Sequence, residues 1–75
     1  MKMSFYGGIT VDCGTENMFE VQEKVEKLMP KTFYPDGGGA MVGGNERDIF
    51  FSAPSEKEFR DFQQELKQKG FKVLD

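Results

Sequence analysis

The spacing of apolar residues in this chain runs from a period of two to a period of about 3.6, twice over, and that double change narrows what it can fold into. Residues 3 to 13 place Met3, Phe5, Ile9, Val11 and Cys13 on one side and Tyr6, Thr10 and Asp12 on the other, the alternation of a half-buried strand. Gly7 and Gly8 interrupt it, where a bulge or the close approach of another backbone calls for glycine. Residues 16 to 29 then put Met18, Val21, Val25, Leu28 and Met29 on one helical stripe. Thr15 is the expected N-cap and Pro30 the stop. The solvent stripe carries Glu16, Glu20, Glu23 and Lys27, and Glu20–Lys24 and Glu23–Lys27 are the expected ion pairs, acid first at i,i+4.

A second helix is marked at both ends. Ser55-Glu56-Lys57-Glu58 fits a capping box, with Pro54 and Phe59 as its flanking staple. Phe59, Phe62 and Leu66 recur at helical spacing, Lys67 and Lys69 lie near the end, and Gly70 occupies the position where a left-handed residue closes a helix. Phe71 to Leu74 reads as a short last strand.

Between the helices, Thr32-Phe33-Tyr34 and Ala40-Met41-Val42 are strand-like pieces separated by a glycine-rich stretch, and residues 48 to 53 form a stronger strand. Gly37, Gly38, Gly39, Gly43 and Gly44 are read as a flexible hairpin or a loop ordered by a partner, with residues 43 to 46 as the turn of an antiparallel hairpin. The order strand, helix, strand, strand, helix, strand resembles the α+β, ferredoxin-like βαββαβ arrangement, both helices on one face of a small antiparallel sheet. The competing reading is a three-stranded α+β sandwich in which residues 31 to 44 are mostly loop. The expected core is Phe5, Ile9, Val11, Val21, Val25, Leu28, Ile49, Phe51, Phe59, Phe62, Leu66, Phe71 and Val73.

Composition then removes chemistries. With 75 residues, about 60% of the unfolded surface can be buried, enough for one domain but not for a deep enclosed cavity. No apolar run exceeds three residues, so neither a membrane span nor a signal sequence is expected and the chain is read as soluble and cytoplasmic. One cysteine and no histidine exclude an internal disulfide, the usual zinc sites and a Cys–His nucleophile pair. No cofactor and no metal are expected. Cys13 stands where metal-carrying ferredoxin-like domains place a Cys-x-x-Cys, but Cys13-Gly14-Thr15-Glu16 lacks the second thiol. A helix dipole would lower its pKa, whereas a structural, partly buried thiol is the plainer expectation. The topology is also similar to that of acylphosphatases, whose arginine after the first strand has no counterpart in residues 12 to 17. RNA-recognition domains share it too, but their basic and Gly-Phe elements are missing from Asp48-Ile49-Phe50-Phe51-Ser52-Ala53. Direct binding of nucleic acid is therefore not expected of a chain carrying a net charge of −3.

The expectation that remains is a non-catalytic protein-binding module. Its partner-binding residues are Glu16, Glu20 and Glu23, a negative row offered to a basic surface, and the aromatics Tyr6, Phe50 and Tyr34 on the sheet face away from the helices, where the strand pattern admits either Phe33 or Tyr34. An inhibitor encoded by a phage or mobile element, blocking a basic surface of a host defence or nucleic-acid enzyme, fits that description. The alternative is a regulatory domain that holds a small ligand as a homodimer.

Overall fold

The computed structural model describes residues 4–40 and 45–74. They form β1 (Phe5–Asp12), α1 (Met18–Leu28), β2 (Tyr34–Ala40), β3 (Glu46–Ala53), α2 (Glu56–Gln68) and β4 (Lys72–Val73). The strands make one sheet in the order β2-β3-β1-β4, every neighbouring pair antiparallel. This is the ferredoxin-like βαββαβ arrangement, and the three-stranded alternative fails because residues 34 to 40 pair with β3 as a fourth strand. The last strand is shorter than expected, two residues at Lys72–Val73.

Alternation sets the two faces. Ile9 and Val11 of β1, and Ile49, Phe51 and Ala53 of β3, point inward and meet Val21 and Val25 of α1 and Phe59, Phe62 and Leu66 of α2 in a single cluster. Phe5, Leu28, Phe71 and Val73 pack against that cluster, so every residue of the expected core lies in it or on it. Phe51 anchors it, stacked on Phe59 at 4.6 Å and edge-on to Phe62 at 5.6 Å. Phe33, which the strand pattern left undecided between the two faces, is buried against Phe51 and Phe62, while its neighbour Tyr34 faces out. Cys13 also joins the core.

Helix ends explain where the chain turns. α2 begins at Ser55, whose hydroxyl accepts from the amide of Glu58. The Glu58 carboxylate meets the Ser55 hydroxyl at 3.2 Å, so it closes the box through the side chain. At the other end the amide of Phe71 reaches the carbonyl of Leu66 and that of Gly70 reaches Lys67, the Schellman pattern, with Gly70 at φ +98° as it requires. α1 departs from expectation. Its cap is Asn17, not Thr15, with the Asn17 carboxamide oxygen accepting from Phe19 and Glu20, so Thr15 and Glu16 belong to the preceding turn. A carboxamide suits this position at least as well as a hydroxyl, and Asn17 stands immediately before the first apolar residue of the stripe.

The glycine-rich stretch is also corrected. Gly37, Gly38 and Gly39 are strand, not loop, whereas Gly43 and Gly44 lie outside the described residues. Pro35 pairs with Phe51 and Gly38 with Ile49, so Asp36 and Gly37 together oppose one residue of β3 in a bulge, and Gly37 takes φ +90°. Gly38 is needed for space: a Cβ there would stand 2.5 Å from the carbonyl oxygen of Asp48 and 2.7 Å from Gln22 Oε1. β1, in contrast, runs from Phe5 to Asp12 in unbroken register with β3. No bulge occurs at Gly7-Gly8, and the tightest approaches to an added Cβ there are the rings of Phe59 and Phe50, with the Ile49 carbonyl oxygen at ordinary contact distance at Gly8.

Candidate functional site

The face of the sheet away from the helices is built by the other half of the alternation. Tyr6, Gly8, Thr10 and Asp12 of β1 lie beside Ser52, Phe50, Asp48 and Glu46 of β3 in that order. Tyr34 joins them opposite Ser52 from β2, and Lys72 opposite Asp12 from β4. Beyond Lys72 the Leu74 amide donates to the Thr10 carbonyl. The exposed large apolar side chains among the described residues are Tyr6 (57%), Phe19 (64%), Tyr34 (70%), Phe50 (37%) and Leu74 (46%). All but Phe19 are on this face or at its β4 rim.

The rings have fixed neighbours. Tyr6 and Phe50 stack with centroids 6.5 Å apart and planes within 10°. Phe50 needs Gly8 beside it, since a Cβ there would lie 2.7 Å from the ring. The Tyr6 hydroxyl donates to Asp36 Oδ2 at 2.9 Å. That bond, assisted by burial and by the charge of Asp36, raises the Tyr6 pKa above its ordinary value. The Thr10 hydroxyl donates to Asp48 Oδ1 at 2.7 Å. Asp12 takes the Gly14 amide on Oδ1 and faces Lys72 Nζ at 4.0 Å through Oδ2.

Asp12, Asp36, Glu46 and Asp48 thus share the face with the aromatics, against one cation among the described residues, Lys72. Asp12 and Glu46 stand directly opposite each other, a like-charge pairing that costs sheet stability. Arg47 offers them no counterion because it has the other parity. Its guanidinium points to the helix side, where Nε donates to Gln22 Oε1 at 2.7 Å and the group lies 4.7 Å over the Phe19 ring. The clustering of these carboxylates escapes a residue count, because the segments outside the helices are close to neutral in total. The signal that finds it is parity: Asp12 and Asp48 alternate in step with Tyr6 and Phe50.

Glu16, Glu20 and Glu23 are elsewhere. They sit at and along α1, in the layer on the other side of the sheet, so the two halves of the expected binding site are not one surface. Nor are they a bare row. Lys24 turns to Glu16 at 3.0 Å rather than to Glu20, with its pKa raised chiefly by that bond, and Lys27 pairs with Glu23 at 3.3 Å. The later start of the helix is the cause: capping at Asn17 rather than Thr15 leaves Glu16 off the helix, free to reach Lys24 eight residues on.

Cys13 is buried, its sulfur 3.7 Å from the Val11 carbonyl oxygen. Burial foremost, then Asp12 and Glu16, push the thiol pKa up, with Arg47 opposing. The helix dipole does not lower it, because α1 begins only at Met18. An open groove of about 250 Å³ beside β4 includes Lys24, Lys69 and Lys72 together with Asp12 and Glu16. That is below the range of most small-molecule sites, and two of its lysines already face its two carboxylates. Among the described residues no group of three or more His, Cys, Asp or Glu side chains is placed to hold a metal ion, and no helix is long and apolar enough to cross a membrane.

Comparison with protein-family models, with curated proteins and with solved structures finds no match for the chain.

Proposed function

We propose that the chain is a non-catalytic protein-binding module that docks through the outer face of its sheet onto a basic surface of another protein. The observation that carries this reading is the coincidence on one face of Tyr6, Tyr34 and Phe50 with Asp12, Asp36, Glu46 and Asp48. Rings supply contact area at low entropic cost, and carboxylates select and steer a cationic partner. The same carboxylates oppose the phosphates of a nucleic acid. They also oppose face-to-face pairing of two copies, which would set four carboxylates against four, so the homodimer reading is the weaker one.

Such a module acts as an inhibitor. A face of rings and anions competes for surfaces that enzymes of nucleic-acid metabolism or host defence offer to phosphates and bases, the role expected of a phage or mobile-element product. A single unpaired thiol in the core suits a reducing compartment, so the cytoplasm belongs to the reading.

Affinity capture with the tagged chain tests it, with two variants run beside the wild type and each checked by a melt. Tyr34→Ala with Glu46→Lys should lose the captured partner, while Glu20→Lys with Glu23→Lys on α1 should keep it, and added salt should weaken capture. Retention by the first pair with loss by the second would move the site to α1 and overturn the proposal.

A further inference from the structure

Resting on that reading, we infer that the element received by the outer face is a basic amphipathic helix of the partner, laid along the central strands β1 and β3. The ways in which a sheet takes up a peptide are few, and this one is poorly made for strand addition. Its β2 edge begins with Tyr34-Pro35, where proline offers no amide, and bends at the bulge between Pro35 and Gly38. Both features guard edges against added strands. Its β4 edge is only two residues long. A docking element must therefore use side chains on the face, not backbone at the rim.

The dimensions suit a helix. Strands lie about 4.8 Å apart, so a helix about 10 Å across covers β1 and β3 and reaches the side chains that border them. Those strands are eight residues each, about 26 Å at strand rise, which about 17 helical residues would match. The helices α1 and α2 already cover the inner face, and a helix on the open face would complete a third layer of the kind found in α/β domains.

The chemistry gives the helix its pattern. Apolar residues at helical spacing would meet the Tyr6–Phe50 stack and Tyr34 near one end. Lysines or arginines would reach Asp48 at mid-face and Asp12 and Glu46 at the far end, where like charges stand opposite each other. Thr10 and Tyr6 already hold Asp48 and Asp36 in place through their hydroxyls, so those carboxylates need little ordering when a cation arrives.

The test uses the isotope-labelled full chain and three synthetic peptides of about 18 residues, long enough to form a helix on binding. One has leucine and lysine at helical spacing. The second has the same composition with two central prolines, and the third replaces lysine by glutamate. The first peptide should shift the amide resonances of Tyr6, Thr10, Asp48, Phe50 and Ser52 while leaving those of α1 in place. It should gain helical circular dichroism on binding and bind at least about tenfold more tightly than the proline peptide. The glutamate peptide should not bind. Equal binding of the helical and proline peptides on this face would overturn the helix while leaving the docking face standing. Shifts confined to α1, or no binding of the lysine peptide, would overturn the inference, and binding of the glutamate peptide to this face would overturn the charge logic of both.

Discussion

The Tyr6 hydroxyl donates to Asp36 across an intervening strand, joining β1 to β2 over the top of β3. The bond closes one end of the outer face and holds a ring and a carboxylate of the proposed docking surface in fixed relation. It stabilises the neutral phenol, so the Tyr6 pKa lies above its ordinary 10.0 in the folded chain. The contribution to stability is therefore complete below about pH 10 and disappears as pH rises through the higher folded value. A phenolate absorbance titration should show a component above the ordinary tyrosine value. Asp36→Ala should bring it back to normal, and a wild-type titration with no such late component would show that the bond does not persist in solution.

Gly38 and Gly39 are adjacent, identical and predicted to differ sharply. Gly38→Ala drives a methyl against the Asp48 carbonyl and Gln22, at a cost of about 1–3 kcal/mol. Gly39 has nothing within 4 Å of an added Cβ, and Gly39→Ala should be neutral or stabilise by up to about 1 kcal/mol through the unfolded chain. Urea melts of the two variants decide whether this stretch is ordered strand, since a loop would make them alike.

The cap of the first helix offers another paired comparison. Asn17→Ala removes the acceptor of two amides and should cost about 1 kcal/mol. Thr15→Ala should stay within about 0.5 kcal/mol, as a surface change outside the helix does. The reverse ranking in denaturant melts would restore Thr15 as the cap.

Cys13 should be a slow thiol. It is buried, with its pKa pushed up by burial and by Asp12 and Glu16, so the reactive thiolate is scarce near pH 8. A chromogenic disulfide reagent should react much more slowly with the folded chain than with the chain in denaturant. Equal rates would place the sulfur at the surface.

Much of the fold could be read along the chain because its causes are local. Val21, Val25, Phe59, Phe62 and Leu66 announce their helices by spacing alone, and Ser55, Glu58 and Gly70 mark the ends of α2 through bonds made within a few residues. β2 could not be read in the same way. Nothing in Pro35-Asp36-Gly37-Gly38-Gly39 favours a strand, and its pairing is imposed by β3, with the bulge absorbing one residue of mismatch and Gly38 admitting the Asp48 carbonyl.

The candidate site divides along the same line. Exposed rings at Tyr6 and Phe50 follow from alternation, and so does the parity of Asp12 and Asp48. The chain by itself determined two amphipathic helices, the strands that flank them, an apolar inner set and a list of excluded residue chemistries. Only the tertiary structure decided that Tyr34 rather than Phe33 faces out, that Asp36 reaches Tyr6, that Glu46 stands opposite Asp12, and that Arg47 turns away from them. Each of those depends on register between strands far apart in sequence, and a shift of one residue would send every side chain to the other face.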